Sequence, residues 1–473
     1  MNHALSGSPT EVCFVNHASV LVRNGSHYLL TDPWHQRPAF GSWLPSLPQY
    51  MHPAYFAALG DRLAVLISHG HDDHCDDEFL AMLDRNTQFV TANFSSPSVS
   101  NRLRRLGFDH VTAIDSDGTQ LPNGMVVKSY ITPTRSLDDA TFTIDTGDGL
   151  IVHCNDNWFE FDRSVHDAIS RDRERFDDAN VMFLSQTNSA SGYPLNYRGL
   201  SAEQKADILK RKVRGMVVQG LKNARALGLS RMFSYAGFAS VFVKDKPEYN
   251  TMSMFPTARF LKENLLDDVE SRELRRSVDI AEFYPGDVVN LRTGVLSKAF
   301  ISSAHYSDAQ MRSSTLRYYE QERIVERCDT FQPVIEAPFD AARLHHFMEQ
   351  FNQFVVRKTA ADGRTFESVI GKSFEIHVTD ADVRCRLVFG EGVVSALPTT
   401  PPNKRLLVTT DVMTRVLDGS ILFENLYTGY EGEWERHPPD VYNRDIVMFI
   451  VMYSYLYKNR LARDNRQAGV STA

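Results

Sequence analysis

The stretch Ser68-His69-Gly70-His71-Asp72-Asp73-His74 decides how the rest of the chain is read. Four metal-capable side chains, His69, His71, Asp73 and His74, crowd into it. The run before it, Leu63-Ala64-Val65-Leu66-Ile67, is short, apolar and partly β-branched, as a buried strand is. The run after it, Asp76-Asp77-Glu78-Phe79-Leu80-Ala81-Met82-Leu83, opens acidic and turns apolar at helical spacing, which puts negative charge at the positive end of a helix. The cluster therefore sits on a loop at the end of a buried strand, where a rigid scaffold presents function. Alternate residues of an extended segment point the same way, so His69 and His71 can hold one ion. As the loop turns, Asp73 and His74 are offset towards a second. Imidazole with carboxylate suits zinc, iron or manganese. A polar loop with clustered histidines is the bland alternative, and the strand–loop–helix setting weighs against it.

Composition narrows the class. At 473 residues the chain is long for one domain and suggests two or three. Hydrophobic residues make up 42% and charged residues 23%, as in a globular protein. A formal net charge of -8 argues against broad, charge-driven nucleic-acid binding. Five cysteines (Cys13, Cys75, Cys154, Cys328 and Cys385) are scattered without paired spacing, which points to a reducing compartment and no disulfide framework. Residues 1–10 lack a basic, apolar leader, and the apolar run over 446–457 is too short to span a bilayer. The expectation is a cytoplasmic protein that engages neither membrane nor nucleic acid.

Outward from the cluster, residues 11–22 and 27–30 read as a hairpin turning at Asn24-Gly25. Thr31-Asp32-Pro33-Trp34 follows, with Asp32 an ordinary turn residue before proline on local grounds. Residues 36–53, with Pro38, Pro45, Pro48 and Pro53, form a long irregular segment of the kind that makes substrate loops. Strands are expected over 89–92, 111–114 and 125–131, and helices over 99–107 and 163–175. Residues 140–144 and 150–152 form a strand pair that delivers His153-Cys154-Asn155-Asp156-Asn157. Asp156 there is a metal ligand or a solvated turn residue, and His153 is read into the core. After a strand at 181–184, the Ser/Asn/Gly-rich loop through Gln186, Asn188 and Ser191 suits polar substrate groups. Residues 201–227 make the clearest helix, with the capping box Ser201-Ala202-Glu203-Gln204 and a solvated face of Lys205, Lys210, Arg211, Lys212 and Arg214. Residues 231–238 read as a strand running into a glycine turn, and His305 stands alone. Beyond Phe331-Gln332-Pro333, helices at 340–358, 410–417 and 442–460 alternate with strands at 374–378, 383–389 and 406–409. That part carries no metal-ligand spacing and reads as a structural or dimerising module, weakly similar to sterol-carrier-protein-like domains.

His-x-His-x-Asp-His, as it stands at positions 69–74, is the signature of the metallo-β-lactamase fold. From about residue 11 to about residue 460 the chain further resembles the non-Rieske portion of the CMP-N-acetylneuraminate hydroxylase family. Asn16-His17-Ala18, Asp32-Pro33-Trp34 with Pro38-Ala39-Phe40, and Ile67 through His74 carry the resemblance. So do Asp156, Ser191-Gly192-Tyr193-Pro194, the long basic helix, Tyr235-Ala236-Gly237-Phe238 and Asn425-Leu426-Tyr427-Thr428-Gly429-Tyr430, in the same order.

The resemblance implies an αββα metallo-β-lactamase sandwich over 1–330 and a C-terminal α+β domain over 331–473. It implies two iron ions and oxygen-dependent oxidation of a polar small molecule. His69 and His71 would hold one ion and Asp73 and His74 the other, with Asp156 bridging. Asp73, Arg135 and His17 are the candidate catalytic residues, and Trp34, Gln186, Asn188, Ser191 and Tyr235 the candidate substrate contacts.

Departures from the family matter. Arg135 stands about where a third histidine is expected, with Asp138 and Asp139 the nearest other candidates. Gln186 replaces an acidic residue, and residues 241–246 lack an expected histidine. No Cys/His pairs could hold a Rieske cluster, so electrons are expected from a separate donor or from the substrate. Two rivals stand beside the oxygenase. One is a hydrolase using zinc- or manganese-bound hydroxide on an ester, lactone or phosphodiester. The other is a metal-poor binding protein on the same fold. The C-terminal domain is the expected place for any oligomer contact.

Overall fold

The strand Leu63–Ile67 shows how the protein is layered. All five of its residues are buried. Leu63, Val65 and Ile67 meet Phe79, Leu80 and Leu103 on one side, while Ala64 and Leu66 join Phe142, Leu184 and Phe233 on the other. Side chains alternate across a strand, so a strand covered on both faces reads as a continuous apolar run. The computed structural model describes residues 8–46, 50–122, 124–131, 140–157, 159–188, 192–237, 239–252, 255–299, 308–335, 338–361, 367–439, 441 and 443–467. Arg135, Asp138, Asp139, Ser191 and His305 lie outside the described residues.

One sheet runs in the order Val295–Ser297, Val288–Asn290, Glu11–Asn16, Ser19–Asn24, His27–Thr31, Leu63–Ile67, Gln88–Ala92, Val111–Ile114. The other runs Asp279–Ala281, Arg231–Tyr235, Val181–Gln186, Leu150–His153, Ala140–Asp145, Val126–Ile131, Thr119–Gln120. Their inner faces share one apolar core. Helices Asp77–Ala81 and Ser98–Arg105 cover the outside of the first sheet, and Arg163–Arg173 and Ala202–Ala226 the outside of the second. This is an αββα sandwich.

Three sequence expectations change. Residues 11–22 are two strands, not one: the chain reverses at His17-Ala18, with His17 at φ 36°, and Glu11–Asn16 pairs antiparallel with Ser19–Asn24. The apolar runs over 12–15 and 20–22 do not alternate, and only the short polar interruption at Asn16, His17 and Ser19 marks the turn. Within the irregular 36–53 segment, Trp43–Pro45 pairs with Ala239–Val241. The basic face of Ala202–Ala226 is not wholly solvated. Lys205 donates to the Leu195 carbonyl at 2.5 Å and Lys212 to the Tyr193 carbonyl at 2.8 Å. The capping box at Ser201 and Gln204 is formed.

The C-terminal part has its own core. Phe347 and Phe351 of helix Ala341–Ala361 pack against Phe374, Ile376, Leu406 and Trp434 of a five-stranded sheet, and helix Arg444–Gln467 adds Ile446, Ile450 and Tyr453. This core meets the sandwich through backbone groups. Ser42 Oγ donates to the Gly429 carbonyl at 2.7 Å, Trp43 Nε1 to the Thr428 carbonyl at 3.0 Å, and Asn196 Nδ2 to the Tyr427 carbonyl at 3.0 Å. Gly192 and Gly429 let the two backbones approach, since a Cβ on either would overlap a carbonyl, that of Tyr427 or Phe40 respectively.

Two stability outcomes follow. Gly192→Ala should lower the unfolding free energy by about 1–3 kcal/mol or more, because rigid backbone cannot yield. Gly215→Ala, in open space on Ala202–Ala226, should raise it by about 0.5–1 kcal/mol. Burial and the Arg444 guanidinium push the Lys212 ammonium down to about 7. The unfolded chain holds that proton up to the ordinary lysine range, so the unfolded state binds more protons between the two values and stability rises with pH there. Denaturant melts between pH 7 and 10 should show this rise in the wild type and a smaller one in Lys212→Met.

Candidate metal centre

Strand ends from both sheets converge on the 68–74 loop. Asp32, at φ 39° just past His27–Thr31, accepts hydrogen bonds from Ser68 N and Ser68 Oγ, each at 2.7 Å. Its Oδ2 lies 3.1 Å from His74 Nδ1. Arg102 of helix Ser98–Arg105 clamps the far side of the loop, donating to the Gly70 carbonyl at 2.7 Å, Asp72 Oδ1 at 2.8 Å and Asp77 Oδ1 at 2.7 Å. Asp76 caps the next helix by accepting from Glu78 N and Phe79 N. His17, Asp32 and Asn155 all adopt left-handed backbone conformations here, each costing on the order of 1 kcal/mol that the surrounding sheets must hold in place.

The donor atoms form two groups. His17, Asp73 and His74 make one, and His69, His71 and Asp156 the other; within each, the ligand-capable atoms lie within 4.8 Å of one another. His17 Nε2 is 3.2 Å from Asp73 Oδ2, and His74 Nε2 is 3.7 Å from the same oxygen. In the other group His69 Nε2 is 2.8 Å from His71 Nδ1. Asp156 stands between the groups, with Oδ1 3.5 Å from His74 Nε2 and Oδ2 4.0 Å from His69 Nε2. Each group holds two imidazoles and one carboxylate.

These atoms fit a cation. His17 Nε2, Asp73 Oδ1, His74 Nε2 and Asp156 Oδ1 are buried and make no hydrogen bond, although buried polar groups are normally paired. The charges pull the same way. Burial opposes a proton on His74, but the carboxylates of Asp73, Asp156 and Asp32 outweigh it and push that imidazole well above its ordinary value. Burial, with His74 and His71 nearby, pushes His69 well below it. Burial also works against ionised Asp73, yet His74 and His17 hold its carboxyl well below the carboxylate range. Negative charge is thus fixed among imidazoles that cannot all be protonated.

The remaining candidates are placed differently. Trp34 is buried, with its indole N–H on the Arg37 carbonyl at 2.8 Å and its ring 5.0 Å from that of His17, so it braces a ligand rather than offering an open face to substrate. Tyr235 is fully buried in the inter-sheet core, bonded to the Ala18 carbonyl and to His153 Nε2, which takes it away from substrate. Gln186 ends the strand Val181–Gln186 and donates to Asn188 Oδ1 at 2.9 Å, while Asn188 donates to the Ala236 carbonyl; both are buried. Trp34 and Tyr235 back onto the centre through His17 and His153. His153 is in the core, 3.6 Å from Asp32.

His17, a candidate catalytic residue from the sequence, stands among the donors themselves, and Asp32 of the Asp32-Pro33-Trp34 stretch braces His74 and Ser68. Arg102 was not singled out. The strand-end position of Asp32 was a usable signal; Arg102 is one of several arginines on its helix and carried none. A fourth contact comes from far along the chain: His71 Nε2 lies 3.2 Å from Glu424 Oε1 of helix Phe423–Tyr427.

Residues 11–227 match the model of a β-lactamase superfamily domain. Cytidine monophosphate-N-acetylneuraminic acid hydroxylase of Asterias rubens is 26% identical over 253 residues, covering 50% of this chain and 35% of that protein. A Mycobacterium tuberculosis protein named as a Rieske 2Fe-2S iron-sulfur protein is 29% identical over 154 residues, 31% of this chain and 30% of its own. The chain thus spans about a third of the length of these curated relatives. Among solved structures, the diiron β-hydroxylase CmlA of Streptomyces venezuelae is 16% identical with a TM-score of 0.36, covering 60% of this chain and 55% of that one. The metallo hydrolase Igni18 of Ignicoccus hospitalis is 13% identical with a TM-score of 0.37, covering 62% and 100%. With the layered fold and the strand-end loop, the match assigns residues 11–227 to a β-lactamase superfamily domain, and the chain resembles the CMP-N-acetylneuraminate hydroxylase branch over about half of its length.

Proposed function

We propose that this protein is a two-metal, iron-dependent oxygenase that oxidises or hydroxylates a polar small molecule. One observation carries the reading: each of the two donor groups, His17/Asp73/His74 and His69/His71/Asp156, is a pair of imidazoles with one carboxylate. Two histidines and a carboxylate that leave coordination positions open are the ligand set of non-haem Fe(II) oxygenases. Neither group contains a cysteine, which argues against a softer site. The similarity to a CMP-N-acetylneuraminic acid hydroxylase supports the same reaction class.

Iron bound here supplies activation of O2 for attack on a substrate C–H bond. The chain's own residues do the rest. Asp156, between the two groups, holds them in register. Asp32 keeps the far nitrogen of His74 engaged and leaves Nε2 facing the cluster. Trp34 and Tyr235 fill the space behind His17 and His153 and exclude water there. Reduction of O2 needs electrons beyond those of the substrate C–H bond, and a separate donor supplies them in this reading. All five cysteines are unpaired and buried, and among the described residues no helix is long and apolar enough to cross a membrane. The unpaired cysteines fit a reducing compartment.

Elemental analysis of protein purified from iron-supplemented cells should give about two irons per chain, one per two-histidine, one-carboxylate group. The iron-loaded protein should consume oxygen only when a reductant is added. His71→Ala should remain folded, hold less iron and lose that uptake. Two zinc ions per chain with esterase or phosphodiesterase activity, and no reductant-dependent oxygen uptake, would instead establish the hydrolase reading.

A further inference from the structure

His71 is placed unlike the other donors. Its side chain is 39% exposed, whereas His17, His69 and His74 are buried. Its Nδ1 faces His69 Nε2, so Nδ1 is the ligand atom and Nε2 points out of the cluster. That outward nitrogen meets Glu424 Oε1 at 3.2 Å. Glu424 belongs to the C-terminal part, and its side chain is only 10% exposed. Its other oxygen, Oε2, accepts a hydrogen bond from the Tyr455 hydroxyl at 2.5 Å, on helix Arg444–Gln467. The Phe40 ring lies edge-on to His71 at 5.6 Å, and the Phe40 carbonyl lies against Gly429 of the docked segment.

The same arrangement recurs across the centre. His74 presents Nε2 to the cluster and engages the Asp32 carboxylate through Nδ1, and Asp32 is in turn held by Ser68. On each side a carboxylate takes the far N–H of a ligating imidazole and a hydroxyl takes the carboxylate. An acceptor on one nitrogen fixes the tautomer, leaves the lone pair on the other and strengthens it as a ligand. Asp32 comes from the sandwich itself. Glu424 comes from the other end of the chain.

We infer that Glu424 and Tyr455 are positioning residues of the metal centre, so that the C-terminal domain completes the site by orienting His71 rather than serving only as a structural appendage. The inference rests on the proposed metal centre and deepens it. Because Glu424 reaches His71 only when helix Phe423–Tyr427 is docked, metal binding and docking are linked, each favouring the other.

The test uses the full chain and Co2+, whose visible ligand-field bands report the ligands directly, with affinity read by competition against a chromophoric chelator. Glu424→Ala should weaken the tighter-affected of the two Co2+ sites about 10- to 100-fold, the usual cost of losing such an outer partner. Glu424→Gln, which keeps an acceptor, should lose about 10-fold or less, and Tyr455→Phe less again. In a His71→Ala background, Glu424→Ala should cost no further affinity. Equal affinity in the wild type and the Glu424 variants, or equal losses in both backgrounds, overturns this inference alone. A wild-type chain that binds no Co2+ overturns the metal centre and this inference with it. If Glu424→Ala does not fold, Glu424→Gln and Tyr455→Phe carry the same comparison.

Discussion

The architecture depends on holding carboxylates among imidazoles in a place water barely reaches. Asp32 and Asp73 are buried with His17, His69 and His74, and moving an ion out of water costs several kcal/mol even after relaxation. That cost is tolerable only if opposite charge and hydrogen bonds are held at close range. Ser68 satisfies Asp32 twice, and the histidine nitrogens line Asp73 and Asp156. No single element could provide this. His17, Asp32 and the 68–74 loop come from the ends of one sheet, and Asp156 follows a strand of the other. The apolar core between the sheets therefore sets where Asp156 stands against the five donors of the first sheet. The left-handed turns at His17, Asp32 and Asn155 are sustained by the same core.

A second constraint is the close approach of two backbones. The segment after Glu424 lies so near the sandwich that Gly192 and Gly429 leave no room for a side chain. Trp43, Ser42 and Asn196 hydrogen-bond to its carbonyls. Contacts of this kind fix position within narrow limits, because neither rotamer changes nor repacking can absorb an error. They set Glu424 against His71 with a precision that apolar packing alone, which tolerates shifts of volume and shape, would not give.

Much of this was legible in the sequence, for identifiable reasons. The strand Leu63–Ile67, the capped helix after Asp76 and the capping box at Ser201 are local signals, and local rules read them. The histidine cluster is likewise compact in sequence. The turn at His17-Ala18 was not legible, because the apolar runs over 12–15 and 20–22 show no alternation and the polar interruption between them is only a few residues long. Strands of three residues, such as Val288–Asn290, are below the length at which a period can be seen. Trp34, Gln186, Asn188 and Tyr235 were assigned to substrate by position, whereas tertiary packing buries them. Lys205 and Lys212 lie on a helix face that is polar by composition, and only the folded loop over it shows that they are used to hold carbonyls. Glu424 was out of reach of any local argument, since its partner is in another domain.

The two donor groups are alike in composition and unlike in setting, and that difference has consequences for any reaction at the centre. His17, Asp73 and His74 are all buried, and the acid that orients His74 comes from an adjacent strand end of the same sheet. His69, His71 and Asp156 open outward through His71, and the acid beside His71 is carried by a helix that must dock. The inner group is therefore as rigid as the sandwich, while the geometry of the outer group follows the position of the C-terminal domain. His71 is the donor most open to solvent, and it is also the one that Phe40 and Glu424 hold from outside the 68–74 loop.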